Sequence, residues 1–192
     1  MFLRWLCATY TVHSLLAEIM QGAGRMADIV KALKSYVYLD QAPVQNVDVH
    51  AGLDNTLIIL RHKLTPQISI RREYAPDLPQ ITAYASELNQ VWTNILDNAL
   101  DALGGQGEIM IQTQQEADDV LVTIADNGSG ILPTHLTKIF DPFFTTKPPG
   151  KGSGLGLNVS YNIVQRHNGE IAVNSEPGQT IFQVRLPVDF SQ

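Results

Sequence analysis

Apolar residues at Val91, Ile95, Leu96, Ala99, Leu100 and Leu103 recur at three-and-four spacing, which predicts a helix over residues 86–103, ended by Gly104-Gly105. The same period runs through Leu15, Leu16, Ile19, Met26, Ile29, Val30, Leu33 and Val37 and predicts one long helix over about residues 3–38. Its stripe from Met26 to Val37 could seat against a partner helix. Two more helices are expected: residues 50–63, entered near Asp48, and residues 155–167, closed by Asn168-Gly169. Alternating apolar and polar positions predict a strand at 68–74. Strands are also expected at 108–114, 120–126, 171–174 and 180–186. A short strand near Ile81 follows the breaks at Pro76 and Pro79. Residues 39–47, with Pro43, read as a linker, and residues 131–152 as loop with a short helix. This order predicts helices layered on one face of a mixed sheet, an α+β fold. Residues 1–45 form the long helix and linker, and residues 46–192 a single domain.

Composition narrows the partners. An apolar fraction of 44% over 192 residues fits a globular domain with an appendage. The net charge of −6 argues against nucleic acid or an anionic membrane as a broad-surface partner. A polyanion bound here must be held by local lysines, backbone N–H groups and a metal ion. The lone Cys7 excludes an internal disulfide and suits a reducing cytoplasm. Arg4, His13 and Glu18 interrupt the apolar opening, so neither a spanning helix nor a signal peptide is expected there.

Three clusters carry candidate chemistry, and each has a plainer reading beside it. On the helix over 86–103, Asn94, Asn98 and Asp101 share one side. That side is either a solvated face or a polar wall; asparagine is a middling helix former, and its amide offers oxygen to Mg²⁺ and N–H to phosphate. The strand over 120–126 delivers Asp126 into Asn-Gly-Ser-Gly130. The pair of readings here is a tight turn, or a buried carboxylate that accepts from an exocyclic amine, with Gly128 and Gly130 letting backbone pass close to the ring. Gly150, Gly152, Gly154 and Gly156 alternate just before a helix start, as a hinge or as an anion cradle. Phe143 and Phe144 read as a hydrophobic plug pinning the loop, and Lys147 and Lys151 as solvated charges or phosphate ligands. The pattern is neither a Walker loop nor a dinucleotide fingerprint.

Together the clusters resemble the ATP-binding domain of sensor histidine kinases, within the GHKL ATPase superfamily. Asn94-Ile-Leu-Asp-Asn98-Ala is similar to the N box, Asp126-Asn-Gly-Ser-Gly130 to the G1 box, Phe140-Asp-Pro-Phe-Phe-Thr-Thr-Lys147 to the F box and Gly152-Ser-Gly-Leu-Gly-Leu157 to the G2 box. The likeness runs from about residue 48 to 187. It implies a two-layer α/β sandwich holding ATP under a flexible lid. By position it assigns Asn98 to Mg²⁺, Asn94 to support of the phosphates, and Lys147 and Lys151 to the terminal phosphates. Asp126 would read the adenine amine, with Thr180 behind it and Gly128, Gly130 and Ile131 along the base. The backbone of Gly152 and of Gly154, Leu155, Gly156 and Leu157 would cradle the phosphate chain. Hydrolytic members of the superfamily carry glutamate one turn before the metal-binding asparagine. Asn94 in that place is a poor base, so weak hydrolysis and transfer to a protein side chain are expected.

The resemblance also implies a phosphoaccepting histidine on a dimeric helical hairpin, and a response regulator downstream. Residues 25–36 are similar to the second hairpin helix, through which the full protein would form a homodimer. His13, followed by Ser14, does not fit the acceptor pattern; it and His50, His62, His135 and His167 read as structural or surface residues. The acceptor is therefore expected on a separate dimerisation helix or phosphotransfer protein, making this chain part of a kinase or a degenerate one. The alternative is a nucleotide-dependent interaction module without kinase activity.

Overall fold

The computed structural model describes residues 44–148 and 151–189. The long helix expected over 3–38, with Cys7 and His13, lies outside them, as does Gly150. The chain enters through β1 (Gln45–Val47) and α1 (Val49–Ile59), which runs into a 3-10 turn over Leu60–Lys63. It continues through β2 (Ile68–Glu73), β3 (Ile81–Ala83), α2 (Ala85–Leu103), β4 (Gly107–Glu116) and β5 (Asp119–Asp126). A one-turn α3 (Pro133–Leu136) interrupts the long loop before α4 (Gly156–Arg166), and β6 (Glu170–Glu176) and β7 (Gln179–Pro187) close the chain.

Asp48 caps α1 as expected, its carboxylate accepting from Ala51 N–H at 3.1 Å. Gly104 takes the left-handed conformation that ends α2. One expectation fails. Residues 45–47 fall in the predicted linker, yet they form β1, paired antiparallel with β3. Three residues are too few to show a period, and the pairing partner lies more than thirty positions away.

The main sheet has the order β2-β4-β5-β7-β6, with β2 parallel to β4 and every other pair antiparallel. The mixed α+β sandwich is thus as expected. Alternation puts Ile111, Ile124 and Phe182 in one cross-strand row and Val122 and Val184 in the next, all buried. Against them α2 lays Val91, Trp92, Ile95, Leu96, Ala99 and Leu100, each at most 5% exposed. Each buried valine, isoleucine or leucine among them stabilises the fold by roughly 1.5–3 kcal/mol. The row at the end of the same face reads Ile109, Asp126, Thr180, Ser175. The core face therefore finishes in a line of polar groups, and this is what builds the site. Among the described residues no helix is long and apolar enough to cross a membrane.

His167 locks the far end of α4 to the start of α2. Its Nδ1–H donates to the Ile163 carbonyl at 2.8 Å, and its Nε2 accepts from Tyr84 N–H at 3.1 Å. Acceptance at Nε2 needs the neutral ring. Burial holds its pKa below the ordinary histidine value, against the Ile163 bond and with help from the Arg166 charge. Glu87 Oε2 lies 3.9 Å from Nδ1, but that nitrogen's proton already points at Ile163 and Arg166 pairs with Glu87 at 3.0 Å. A depressed folded pKa means the stability is whole above about pH 6.5 and is lost as pH falls toward the folded value. Urea midpoints measured from pH 7.5 to 5.5 should fall on the acid side, and fall less in His167→Gln. Equal slopes in the two proteins would refute the neutral assignment.

Candidate functional site

A cleft of about 520 Å³ opens between α2, the polar end of the sheet and the segment leading into α4. Asn94, Asn98 and Asp101 line it from α2, Asp126 and Thr180 from the sheet, and Lys147 and Lys151 from the segment over it. Gly130, Ile131, Gly152, Gly154, Gly156 and Leu157 complete the expected set on its walls. Gly128 and Leu155 do not line it. Gly128 stands behind, donating its N–H to Asp126 Oδ1 at 3.0 Å, and an added Cβ would meet the Ala102 backbone at 2.7 Å. The Leu155 N–H is taken by Ser153 Oγ at 3.3 Å.

Asp126 is 6% exposed. Burial pushes its carboxyl above the ordinary aspartate value, against the Gly128 N–H that stabilises the charge. Beside it lies Thr180, its partner in the β5–β7 register and 3% exposed. Gly130 makes this end possible. Its φ is +76°, and a Cβ there would lie 2.3 Å from the Glu176 carbonyl oxygen.

The other end is ionic. Lys147 Nζ donates to Asn98 Oδ1 at 3.0 Å and to Asp101 Oδ2 at 2.6 Å. Lys63 bridges Asp97 at 2.5 Å and Asp101 at 3.2 Å. Burial works to raise the Asp101 pKa, but the Lys147 and Lys63 ammoniums outweigh it and hold the carboxyl below its ordinary value. A cation thus rests on Asn98 and Asp101. These are hard oxygen donors, which fit Mg²⁺, an ion that keeps several waters and is shared with substrate phosphates. Among the described residues there is no cluster of three or more His, Cys, Asp or Glu side chains that would hold a metal unaided.

Asn94 does something different. Its Nδ2 donates to the Gly156 carbonyl at 2.8 Å and to Ser160 Oγ at 3.0 Å, tying α2 to the first turn of α4. No side chain caps that turn, so the N-terminus of α4 turns uncapped N–H groups toward the cleft, a setting suited to an anion. The phenylalanine plug is half right. Phe144 is partly buried against the core and stacks edge-on with His135 at 5.4 Å. Phe143 is 63% exposed, because its φ of +68° turns it outward. Its carbonyl carbon lies 2.4 Å from where a Cβ on Gly154 would sit, so the bend closes only over glycine. Sequence reasoning missed Lys63, which reaches the site only through packing, Asp97, which adjoins Asn98 on α2, and His135, which lines the cleft. It also missed Ser175, whose one sequence signal is its place opposite Thr180 in a tight hairpin.

Comparison with known proteins agrees with this geometry. Residues 83–189 match the family described as histidine kinase-, DNA gyrase B- and HSP90-like ATPases. The sensor histidine kinase ZraS of Escherichia coli K12 is 32% identical over 182 residues, covering 94% of this chain and 39% of ZraS. Sporulation kinase E of Bacillus subtilis is 38% identical over 123 residues, 63% of this chain and 16% of that kinase. The chain therefore spans well under half the length of these relatives. Among solved structures, a catalytic domain of histidine kinase ThkA superposes with a TM-score of 0.70 at 26% identity, covering 77% of this chain and 97% of that one. The mycobacterial sensor histidine kinase MprB gives 0.67 at 26%, covering 78% and 100%. The chain belongs to the family of histidine kinase-, DNA gyrase B- and HSP90-like ATPases, and the domain it carries is the ATP-binding catalytic part of the sensor histidine kinase kind.

Proposed function

We propose that this chain binds Mg-ATP in the cleft and transfers the γ-phosphate to a histidine on a dimerisation helix or phosphotransfer protein, for relay to a response regulator. The observation that carries the reading is the cleft itself. It sets a buried acceptor, Asp126, at one end, and two oxygens already seated on a cation, Asn98 and Asp101, at the other. Asp126 would accept from the adenine amine, with Gly130, Ile131 and Thr180 around the base. The N-terminus of α4, with Gly152, Gly154 and Lys151, would hold the phosphate chain. Lys147 would leave Asn98 and Asp101 for the terminal phosphates. Asn98 would be the protein ligand of Mg²⁺, which supplies charge neutralisation across the phosphates when bound. The response regulator enters by analogy with histidine kinase ThkA, solved in complex with the response regulator TrrA. A cytoplasmic setting and pairing through the N-terminal helix belong to the same proposal.

Transfer from radiolabelled ATP to a separately added helical hairpin bearing an acceptor histidine tests the reading. Acid-labile, base-stable label on the hairpin is the expected result. Nucleotide binding without any transfer would favour an interaction module instead. Steady phosphate release without an acceptor would make the chain a hydrolytic ATPase, against which Asn94 argues.

A further inference from the structure

We propose that Ser175 sets the base specificity of the cleft by fixing the direction in which the Thr180 hydroxyl donates; this rests on the Asp126–Thr180 end being the base subsite. Ser175 lies opposite Thr180 in the β6–β7 register, in the same cross-strand row as Asp126. A serine hydroxyl has one proton and two lone pairs. The Ser175 proton goes to the Gln179 carbonyl oxygen at 3.1 Å, a group that can only accept. The Ile131 N–H, at 2.8 Å, takes one lone pair. The other faces Thr180 Oγ1 at 3.0 Å. With the Ser175 proton committed, the proton in that last contact is Thr180's own.

Thr180 is therefore left with only lone pairs for the cleft. Asp126 beside it, with Gly128 N–H on one oxygen, likewise offers only acceptors as a carboxylate. Neighbouring walls that both accept, where the 6-substituent sits, select a purine carrying its amine at position 6. They disfavour a 6-oxo purine by the hydrogen bond its carbonyl loses with its water, even where its N1–H still finds an acceptor. Ser175 touches no ligand in this arrangement and acts through Thr180, as a positioning residue. The hairpin geometry keeps it in place: Ser175 and Gln179 flank the Pro177-Gly178 turn, with Gly178 at a φ of +89°. Without the Ser175 lone pair, the Thr180 hydroxyl is free to rotate and donate into the cleft.

Binding of ATP, inosine triphosphate and inorganic tripolyphosphate to the full chain tests this by calorimetry. The wild type should prefer ATP to inosine triphosphate by about tenfold or more. Ser175→Ala should cut that preference by at least about fivefold, as a donor to the oxo group becomes available, and leave tripolyphosphate affinity unchanged. Ser175→Cys, which fills the space with a weak donor and acceptor, should do the same, and Ser175→Thr should keep the wild-type ratio. A wild-type ratio in both Ser175→Ala and Ser175→Cys overturns the role of Ser175. So does an equal loss of all three ligands, the mark of a merely structural residue. A wild type that binds both nucleotides equally overturns the base-subsite reading instead.

Discussion

Asn98→Ala should lower the rate of phosphoryl transfer to a histidine acceptor by on the order of a hundredfold or more. Phosphoryl transfer asks a protein mostly for position and charge neutralisation, so losing a group that seats the cation removes the catalytic contribution itself. In this structure Asn98 Oδ1 holds an ammonium at 3.0 Å, shared with Asp101. In the variant only Asp101 remains on that cation. Asn98 lies on the open face of α2, away from Ile95, Leu96 and Ala99 in the core, so the fold should melt as wild type does. Label incorporation at saturating nucleotide measures the effect, and an unchanged rate would remove Asn98 from the metal side of the site.

Asp126→Asn should weaken ATP binding by at least tenfold, about 1.4 kcal/mol. The change is nearly isosteric, and the hydrogen bonds dictate its sense. Gly128 N–H donates to Oδ1 at 3.0 Å, which keeps the amide oxygen of the variant on that side. The amide nitrogen then faces the cleft, a donor set where the proposed ligand also donates. Two donors meeting in a site 6% exposed lose their water and gain no bond. Calorimetry reads the loss directly, and wild-type affinity in both this variant and Asn98→Ala would sink the site assignment as a whole.

Much of the fold and site is legible in the sequence because it follows from local pattern. The three-and-four spacing of α2 places Val91, Ile95 and Leu96 inward and so Asn94, Asn98 and Asp101 outward. A short, nearly continuous apolar run along β5 carries buried residues to Asp126 at the strand end. What escapes a sequence reading depends on contacts across long stretches of chain. Lys63 meets Asp101 from 38 positions away, and β1 finds β3 only in the fold. Residue type misleads in one place: Phe143 reads as buried alongside Phe144, but its left-handed backbone turns it to solvent. Spacing puts Asn94 on the correct face, yet its brace to Gly156 and Ser160 needs the register of two helices far apart in sequence.

That brace bears on the resting behaviour of the molecule. One turn before Asn98 stands an amide with no basic lone pair, its nitrogen already engaged by α4. On the proposed reading, nothing at that position can take a proton from water beside the γ-phosphate. A loaded copy then waits with its nucleotide intact, and phosphate flow follows how often an acceptor arrives rather than how fast the pocket turns over. A low background between signals would be a property of this single uncharged side chain.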